Sequence, residues 1–508
     1  MPTNPAASSL PHLDYRLLFL ASLLLSGLLI ALDPLINRDA IIYLRSADAY
    51  LRDGFLASQQ EYGRPLLPIG MALIHQLTGL SLVHAGLLLV SLFYALMCTA
   101  FVATVHTLGG DRRVQLIAAA VILFHPMLNE DRSSIMRDPG YWALLLLSFR
   151  ALLLYCRQPG MRHQVSWFVC IWLASAFRFE GLFFATLAPL ALLFSRDLAH
   201  RGSHCLRLLV PQLLALGAVL LAILASNSGA DLLIFPAIEG YIDSLLALPQ
   251  QFAELTRATG EAMLRFTARE DAALAVTAGL VAVLLLNICR ALTWPWVFVL
   301  LWGRSRHLLG RFRADDRTLL RAHLLITLAY LAMFILIKQF MLERYANQLV
   351  IFLLLYLPFV LNGLWHGSGR WQKPLVIVLV LGMAVDSVHT GAGKKSFIRD
   401  ATEWVRAETP AGSSLASNDK YIAYFSERDF DWDDAIQREF QLRRILAEPE
   451  LWRDKDFLVM YVRPRDARYW AQFLARHRLQ EMKAFGDGKR GRVSVVWLFP
   501  GYATPSPE

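Results

Sequence analysis

The chain is more apolar and less charged than an ordinary soluble domain. Of its 508 residues, 56% are hydrophobic and 18% are charged, whereas soluble domains have about 45–50% and about 25%. A mean hydropathy of +0.42 excludes a disordered, collagen-like or small disulfide-stabilised protein. The net charge of +9 does not indicate nucleic-acid binding, because no basic run is interleaved with aromatic residues as such sites require.

Long apolar segments recur along the chain. A bilayer core about 30 Å thick needs about 20 mostly apolar helical residues, so the sequence predicts a polytopic α-helical membrane protein with about eleven transmembrane helices. The fifth and sixth are short, and the eighth is long enough to include an interfacial turn. The predicted spans are roughly 16–33, 81–107, 113–128, 138–155, 165–177, 181–194, 206–226, 273–302, 319–337, 347–365 and 374–390.

Loop charge predicts the orientation. One set of loops (109–113, 156–164, 195–207, 303–321 and 366–373) has 15 Lys/Arg and 4 Asp/Glu, and the alternate set (36–64, 129–138, 177–180, 227–272 and 338–346) has 12 and 16. Lys and Arg concentrate on cytoplasmic loops. We therefore expect a multi-pass protein of a bacterial inner membrane, with a cytoplasmic N-terminus and a periplasmic C-terminal domain.

The sequence predicts two domains. Residues 1–390 form the transmembrane domain, with periplasmic loops at 36–80 and 227–272, and residues 391–508 form a small periplasmic α/β domain that begins at Gly391-Ala392-Gly393. Hydrophobic periodicity predicts the elements of this second domain. Its predicted helices are 396–408, 433–448 and 467–478, and its predicted strands are 413–417, 456–462 and 491–499.

The first predicted periplasmic loop contains the main candidate for chemistry. Asp39 directly follows the first span, and helical spacing places Tyr43 and Ala47 along the same stripe. A carboxylate at this depth is placed to act on the head group of a lipid-linked substrate. The alternative is a solvated loop residue or a helix N-cap. Asp48 lies in the same loop and is a candidate substrate contact.

Charged residues at two further loops extend the candidate site. Asp138 opens the fourth span beside Arg137, although Asp before Pro is also a common helix cap. Arg178 and Glu180 lie between two short apolar segments, where a charge pair is costly without a purpose. The alternative for this pair is a salt bridge that holds the helix turn.

Cations at the predicted outer surface could hold a phosphate. Lys338, Arg344 and Tyr345 follow the ninth span, and Arg64 precedes a proline-rich turn. Arg offers bidentate donors to phosphate. The alternative is that these side chains anchor the spans at the membrane interface.

These residues together resemble the GT-C superfamily of polyprenyl-phosphate-sugar-dependent glycosyltransferases, which includes protein O-mannosyltransferases and the lipid A aminoarabinose transferase. The family's first external loop has Asp-Glu-x-x-Tyr-x-x-x-Ala, followed some seven residues later by Gly. Asp39, Tyr43, Ala47 and Gly54 match this pattern, whereas Ala40 replaces the Glu.

The resemblance spans about residues 15–390. Its further matches are Arg64-Pro65 to an Arg-Pro-Pro-like turn, with Pro68 displaced, Asp138 to an Asp that opens the fourth span, Arg178–Gly181 to an Arg-x-Glu-Gly element, and Arg344-Tyr345 to a late Arg-Tyr.

The resemblance implies a chemical role for each motif. Asp39 would be the general base that takes a proton from the acceptor, and Ala40 cannot supply the family's second carboxylate. The leaving polyprenyl phosphate needs cations or a metal, which Arg344, Lys338 and Arg64 would supply. Asp138 would orient acceptor or base, or bind a divalent cation such as Mg²⁺ or Mn²⁺ if one is used. The remaining expected substrate contacts are Tyr43, Asp48, Arg137, Arg178, Glu180 and Tyr345.

The implied function is an inverting glycosyltransferase that uses a polyprenyl-phosphate sugar, with a lipid, a glycan or a protein as acceptor. A membrane transporter or lipid flippase is the main alternative, but transport predicts ionisable residues near the midpoints of spans, and these are almost absent here. A structural assembly subunit and an O-antigen polymerase or ligase are further alternatives.

Overall fold

The chain divides into two compact units. The computed structural model describes residues 13–33, 35–225, 243–264, 266–388 and 396–498. Residues 1–31 and 43–390 form the first unit, here called the membrane unit, and residues 32–42 and 391–508 form the second, here called the C-terminal unit. Residues 227–242 of the predicted loop 227–272 and the Gly391-Ala392-Gly393 sequence lie outside the described residues.

Helices dominate the chain up to residue 388. In chain order they are α1 (Tyr15–Leu32), α2 (Ala40–Asp53), α3 (Phe55–Glu61), α4 (Leu66–Thr78), α5 (Leu82–Thr107), α6 (Arg112–Phe124), α7 (Pro126–Asn129), α8 (Asp138–Arg157), α9 (Met161–Phe177), α10 (Gly181–Leu187), α11 (Arg201–Ala225), α12 (Leu248–Met263), α13 (Ala272–Leu292), α14 (Trp294–Ser305), α15 (Ala314–Lys338), α16 (Glu343–Leu354), α17 (Leu357–Trp365) and α18 (Gln372–Val388). Short 3₁₀ helices cover Ala188–Phe194 and Phe266–Asp271.

Several of these helices can cross a membrane. Within the described residues, α1, α5, α8, α13 and α15 are long and apolar enough to do so, and α16 with α17 makes a sixth such segment that bends by 48°. The α8 helix is mostly buried against α5 and α9, whereas α1 and α13 expose most of their apolar surface. Exposed leucines on α1 and α13 suit contact with lipid chains. The protein is therefore a polytopic helical membrane protein.

Some predicted spans are broken helices. The predicted span 273–302 is divided into α13 and α14 at Thr293, which has a φ of +64° and precedes Trp294-Pro295. Proline lacks the N–H that continues a helix. The predicted span 181–194 is likewise α10 followed by a 3₁₀ helix that contains Pro189.

The C-terminal unit has a four-stranded sheet with helices packed against it. Its strands are β1 (Leu415–Ser417), β2 (Phe457–Val462), β3 (Glu481–Phe485) and β4 (Arg492–Trp497), in the spatial order β1-β2-β4-β3. The β1 and β2 strands are parallel, and the other pairs are antiparallel. The helices of the unit are α19 (Ser396–Glu408), α20 (Lys420–Phe425), α21 (Trp432–Gln437), α22 (Leu442–Ala447) and α23 (Ala467–His477).

The central strand β2 is buried on both faces of the sheet. Phe457, Val459 and Tyr461 of β2 pack into one hydrophobic cluster, and Leu458 and Met460 pack into the other. A strand that is buried on both faces has a continuous apolar sequence, which is why the sequence predicts it clearly.

The structure of this unit differs from the prediction at two places. The β3 strand was not predicted, because its side chains are only half-buried or exposed and alternate weakly. The predicted helix 433–448 is interrupted between α21 and α22, where Glu439 and Phe440 have φ values of +53° and +52°.

Candidate functional site

A buried ion-pair network connects the start of α8 with the turn between α9 and α10. Arg178 forms an ion pair with Asp138, the first residue of α8, and a second with Glu180. Its Nε and Nη2 donate to Glu180 Oε1 at 3.0 and 2.5 Å. All three residues are buried. The structure thus brings together two predicted site elements that are separated by 40 residues.

Tyr330 of α15 completes this network. Its hydroxyl donates to Glu180 Oε1 at 2.6 Å. Tyr330 was not among the predicted site residues, although a tyrosine in an apolar helix signals a hydrogen-bond partner for its hydroxyl. Through this bond the network joins α8, the α9–α10 turn and α15.

The electrostatics of the network keep Glu180 ionised. Burial alone would raise the pKa of Glu180, but the charge of Arg178 and hydrogen bonds from Arg178 and Tyr330 lower it to about 2. Because its lone pairs already accept several hydrogen bonds, Glu180 is poorly suited to take a proton at neutral pH. Its clearest effect is to hold Arg178 in place.

A second group of predicted residues surrounds Tyr62. Arg137 Nη1 donates to the Tyr62 hydroxyl at 2.5 Å, and the Tyr43 and Tyr62 rings meet edge to face with centroids 5.1 Å apart. Arg64 lies over the Phe179 ring at 4.6 Å. Arg137 directly precedes Asp138, and Phe179 lies between Arg178 and Glu180 in the sequence. The group around Tyr62 is therefore linked to the ion-pair network through neighbouring residues of the chain.

Arg344 lies in a separate cavity of the membrane unit. This cavity of about 420 Å³ has polar and apolar walls. Arg290 of α13 contributes a second cation and pairs with Glu343 at 3.7 Å, and Arg344 Nη1 approaches Met136 Sδ at 3.5 Å. The other lining residues are Met127, Glu130, Asp131, Asn287, Met341 and Leu342. Arg290 was not among the predicted site residues, because a charge near the middle of a predicted span gave no sign of its partners.

Three other predicted residues lie outside these groups or contact only nearby side chains. Asp48 is half-exposed and pairs with Arg52 at 3.3 Å on α2. Lys338 is exposed at the end of α15. The Tyr345 ring packs against Phe334, with centroids 4.9 Å apart, and lies beneath Arg344.

Arg132, in the loop before α8, has a structural role. It is fully buried and donates to the hydroxyls of Ser22 and Ser26 at 3.0 Å and to Asn129 Oδ1 at 2.7 Å. It also lies 4.6 Å from the centroid of the Tyr94 ring. These contacts fix the loop to α1 and α5, so Arg132 is not available to a substrate.

In the C-terminal unit, Asp39 lines a cavity of about 670 Å³. The adjacent Arg38 pairs with Asp419, whose side chain is fully buried and caps α20 by accepting from Tyr421 N at 2.9 Å. The other lining residues are Asn418, Lys420, Glu439, Phe440, Gln441, Leu442, Arg443, Tyr461, Arg463, Arg465 and Asp466. Asp39 therefore lies in a large polar pocket.

The surroundings of Asp138 do not favour the expected divalent cation. Among the described residues, no group of three or more His, Cys, Asp and Glu side chains is placed to hold a metal ion. The carboxylates of Asp138 and Glu180 face the guanidinium of Arg178, which would repel a divalent cation. These residues therefore do not fit a divalent cation.

Solved structures share this architecture. No protein-family model and no curated protein matches the sequence. The crystal structure of ArnT from Cupriavidus metallidurans in the apo state matches with a TM-score of 0.54 and 14% identity, over 97% of this chain and 99% of that one. The crystal structure of the same enzyme bound to undecaprenyl phosphate matches with a TM-score of 0.45 and 14% identity, again over 97% of this chain and 99% of that one. The crystal structure of an Archaeoglobus fulgidus oligosaccharyltransferase in complex with Zn and sulfate matches with a TM-score of 0.47 and 13% identity, over 90% of this chain and 69% of that one.

The fold assignment rests on the apo ArnT structure, which has the highest TM-score of the three. The match extends through both the helical region and the C-terminal domain, because it covers almost all of each chain. The chain therefore has the fold of ArnT, and this likeness of fold agrees with the resemblance drawn from the motifs.

Proposed function

We propose that the protein is an inverting glycosyltransferase that transfers a sugar from a polyprenyl-phosphate donor to a lipid, glycan or protein acceptor at the outer face of the inner membrane. The observation that carries the proposal is the GT-C fold. Since one fold can host unrelated functions, the proposal also depends on the residues of the motifs. Asp39 lines a cavity large enough for part of a sugar substrate.

In the proposed reaction, the acceptor hydroxyl attacks the anomeric carbon of the donor sugar. The Asp39 carboxylate takes the proton of that hydroxyl as the new C–O bond forms. The bond between the anomeric carbon and the phosphate oxygen breaks, and the polyprenyl phosphate leaves with the electron pair. One displacement at the anomeric carbon inverts its configuration.

Arg344 and Arg290 are suited to the donor phosphate. Both line the cavity of the membrane unit, whose wall also contains Met127, Met341 and Leu342. Cations stabilise the charge that develops on a leaving phosphate, and the apolar wall suits a prenyl chain. Asp138, Arg178 and Glu180 hold the start of α8 and the α9–α10 turn together, which suits a positioning role.

Asp39→Asn tests the proposed base. A general base contributes about 10²–10⁴-fold in rate, so this nearly isosteric variant should lose turnover by that factor and keep its affinity for the donor. The measurement is release of polyprenyl phosphate from a polyprenyl-phosphate sugar by the purified full chain in lipid. Asp53→Asn, at the exposed end of α2, the helix that begins directly after Asp39, is the matched control. Turnover of Asp39→Asn equal to that of the control would exclude Asp39 as the base and favour the transport alternative.

Arg344→Ala tests the phosphate assignment. Its guanidinium should help both donor binding and departure of the leaving group, so the apparent donor KM should rise while kcat falls. Both constants come from the same assay with varied donor concentration. A fall in kcat with an unchanged donor KM would contradict phosphate binding by Arg344 in the ground state.

A further inference from the structure

An apolar groove lies between the helices α9 and α11 of the membrane unit. Its volume is about 190 Å³, and Met161, Val165, Phe168 and Leu208 supply much of its wall. Met161 and Val165 are exposed, so the groove is open to the lipid that surrounds the spans. An apolar wall of this kind suits a hydrocarbon chain.

A proline inside α11 gives the groove a fixed wall. Pro211 has no N–H, so it cannot bond the carbonyl of the residue four positions earlier, which is Arg207. The Gln164 side chain of α9 donates to this carbonyl instead, at 2.8 Å. Gln164 and Pro211 both line the groove. The groove is therefore a built feature of the contact between α9 and α11.

Gln212 brings an unused hydrogen-bond donor to the wall. Its Oε1 accepts from Trp172 Nε1, and an indole N–H can only donate, so the Nε2 of the amide is left as the free donor. Among the described residues this Nε2 has no partner, although Gln212 is only 2% exposed and lines the groove. A buried amide donor without an acceptor costs free energy. The groove therefore favours an apolar ligand that also carries an acceptor.

Two arginines adjoin the groove. Arg162 follows Met161 and Arg207 precedes Leu208 in the sequence; both are exposed, and neither has an ion-pair partner in the part of the chain that the structure describes. Gln212 lies about 7.5 Å further along α11 than Arg207, at 1.5 Å per residue. A glycerol backbone and a flexible arginine side chain can span this distance. The loop charges predict that both arginines face the cytoplasm, where the leaflet contains anionic lipids.

We propose that this groove binds a diacyl phospholipid of the inner leaflet. Its phosphate contacts Arg162 and Arg207, an ester carbonyl accepts from Gln212 Nε2, and an acyl chain fills the apolar wall. A polyprenyl phosphate has no ester carbonyl to offer the amide, so the site is distinct from that of the proposed donor. The bound lipid would stabilise the contact of α11 with α9, the helix that leads into the turn containing Arg178.

An ester lipid and an ether lipid test the carbonyl contact in the unmodified protein. Native mass spectrometry of the full chain in detergent would measure the affinity for the first molecule of diester phosphatidylglycerol and of its diether analogue, which lacks the two carbonyl oxygens. The gain from one neutral hydrogen bond predicts that the diester binds about three- to tenfold more tightly. Gln212→Leu removes the donor and should abolish this preference. Equal affinities of the wild type for the two lipids would overturn the proposal, even if the variant failed to fold.

A pair of charge variants tests the phosphate contact. Charge-assisted hydrogen bonds are the strong ones, so Arg162→Gln/Arg207→Gln should bind diester phosphatidylglycerol at least about tenfold more weakly. The matched control, Arg306→Gln/Arg311→Gln, removes two exposed charges from the most basic predicted cytoplasmic loop, outside the groove, and should bind like the wild type. Equal weakening in both double variants would show a diffuse attraction to a basic surface and contradict a defined site.

A second copy of the chain is the other candidate occupant of the groove. A wild-type protein that shows no ester preference but forms a dimer, which Gln212→Leu dissociates, would assign the groove to that second copy and overturn the proposal. None of these measurements depends on turnover. A failure of the proposed glycosyltransferase activity would be seen separately, in the Asp39→Asn assay.

Discussion

Arg178 faces two carboxylates in a buried position, and each of the three charges depends on the others. Removing one partner of a buried ion pair leaves an uncompensated charge, which is strongly destabilising. In this network Tyr330 adds a hydrogen bond to the carboxylate that Arg178 already holds. The network therefore makes a pH-dependent contribution to stability.

Glu180→Gln should reveal this contribution. The pKa of Glu180 is lowered from 4.5 to about 2, so its stabilisation is fully present above about pH 4.5 and is lost as the pH falls towards 2. At pH 7 the variant should be less stable by about 1–3 kcal/mol. Its difference in Tm from the wild type should shrink as the pH falls from 4.5 to 3.

Thermal unfolding followed by tryptophan fluorescence in detergent measures this difference. Glu261→Gln, at an exposed position of α12, is the control and should follow the wild type at every pH. A Tm difference for Glu180→Gln that stays constant from pH 7 to pH 3 would show that the carboxylate charge does not stabilise the fold.

Single residues were predictable from sequence where they interact locally. The Arg178–Glu180 pair, two residues apart, was recognised as a salt-bridge candidate, and the structure contains it. The contact of Arg178 with Asp138 could be expected only as proximity between two charged loops. The hydrogen bond from Tyr330 to Glu180 spans 150 residues. The structural role of Arg132 could not be predicted, because its partners Ser22 and Ser26 lie more than 100 residues away.

At the scale of elements, Gly181 lets α9 and α10 approach each other closely. A Cβ at Gly181 would lie 2.7 Å from Ser175 N and 2.8 Å from Ser175 Cα. These are backbone atoms, which cannot move aside as a flexible side chain could. The glycine therefore shapes the turn that contains Arg178 and Glu180.

Gly181→Ala should lower stability by about 1–3 kcal/mol, as overpacking does in a tight site. The matched control is Gly279→Ala in α13, where a Cβ would have no atom within 4 Å. In that helix interior, alanine should be neutral or stabilising by about 0.5–1 kcal/mol. The Tm of each variant in detergent measures the effect, and equal Tm values would contradict the close approach at Gly181.

Elements were predictable where one physical signal dominates. Long apolar helices such as α5 and the doubly buried strand β2 stand out by composition alone. The length of the eighth predicted span indicated a turn within it. Neither the break at Thr293 nor the one at Glu439-Phe440 could be placed, because neither site has the glycine that usually marks positive φ. The β3 strand was missed because its stability comes from pairing with β4 rather than from its own pattern.

For the whole molecule, the distribution of Lys and Arg predicts the orientation in the membrane. Reporter fusions after Ser195, Arg313 and Trp371 should be cytoplasmic, and those after Ala258 and Pro410 should be periplasmic. Alkaline phosphatase, active outside, and green fluorescent protein, fluorescent inside, would give opposite signals at each site. Phosphatase activity at Arg313, within the most basic loop, would overturn this topology.

The division into units was only partly predictable. The change in composition near residue 391 indicated a separate C-terminal domain, but residues 32–42 pack with that domain rather than with the helices on either side. This grouping depends on contacts such as the ion pair between Arg38 and Asp419, which are 381 residues apart. No local pattern in a sequence signals a contact of that range.

The long separation of Arg38 and Asp419 has a consequence for biosynthesis. The ribosome adds about 5–20 residues per second, so Asp419 emerges roughly 20 seconds or more after Arg38. Until then the polar walls around Asp39 do not exist, even if the first helices are already inserted. A nascent or prematurely terminated chain therefore lacks the complete pocket, and only the finished polypeptide can assemble it.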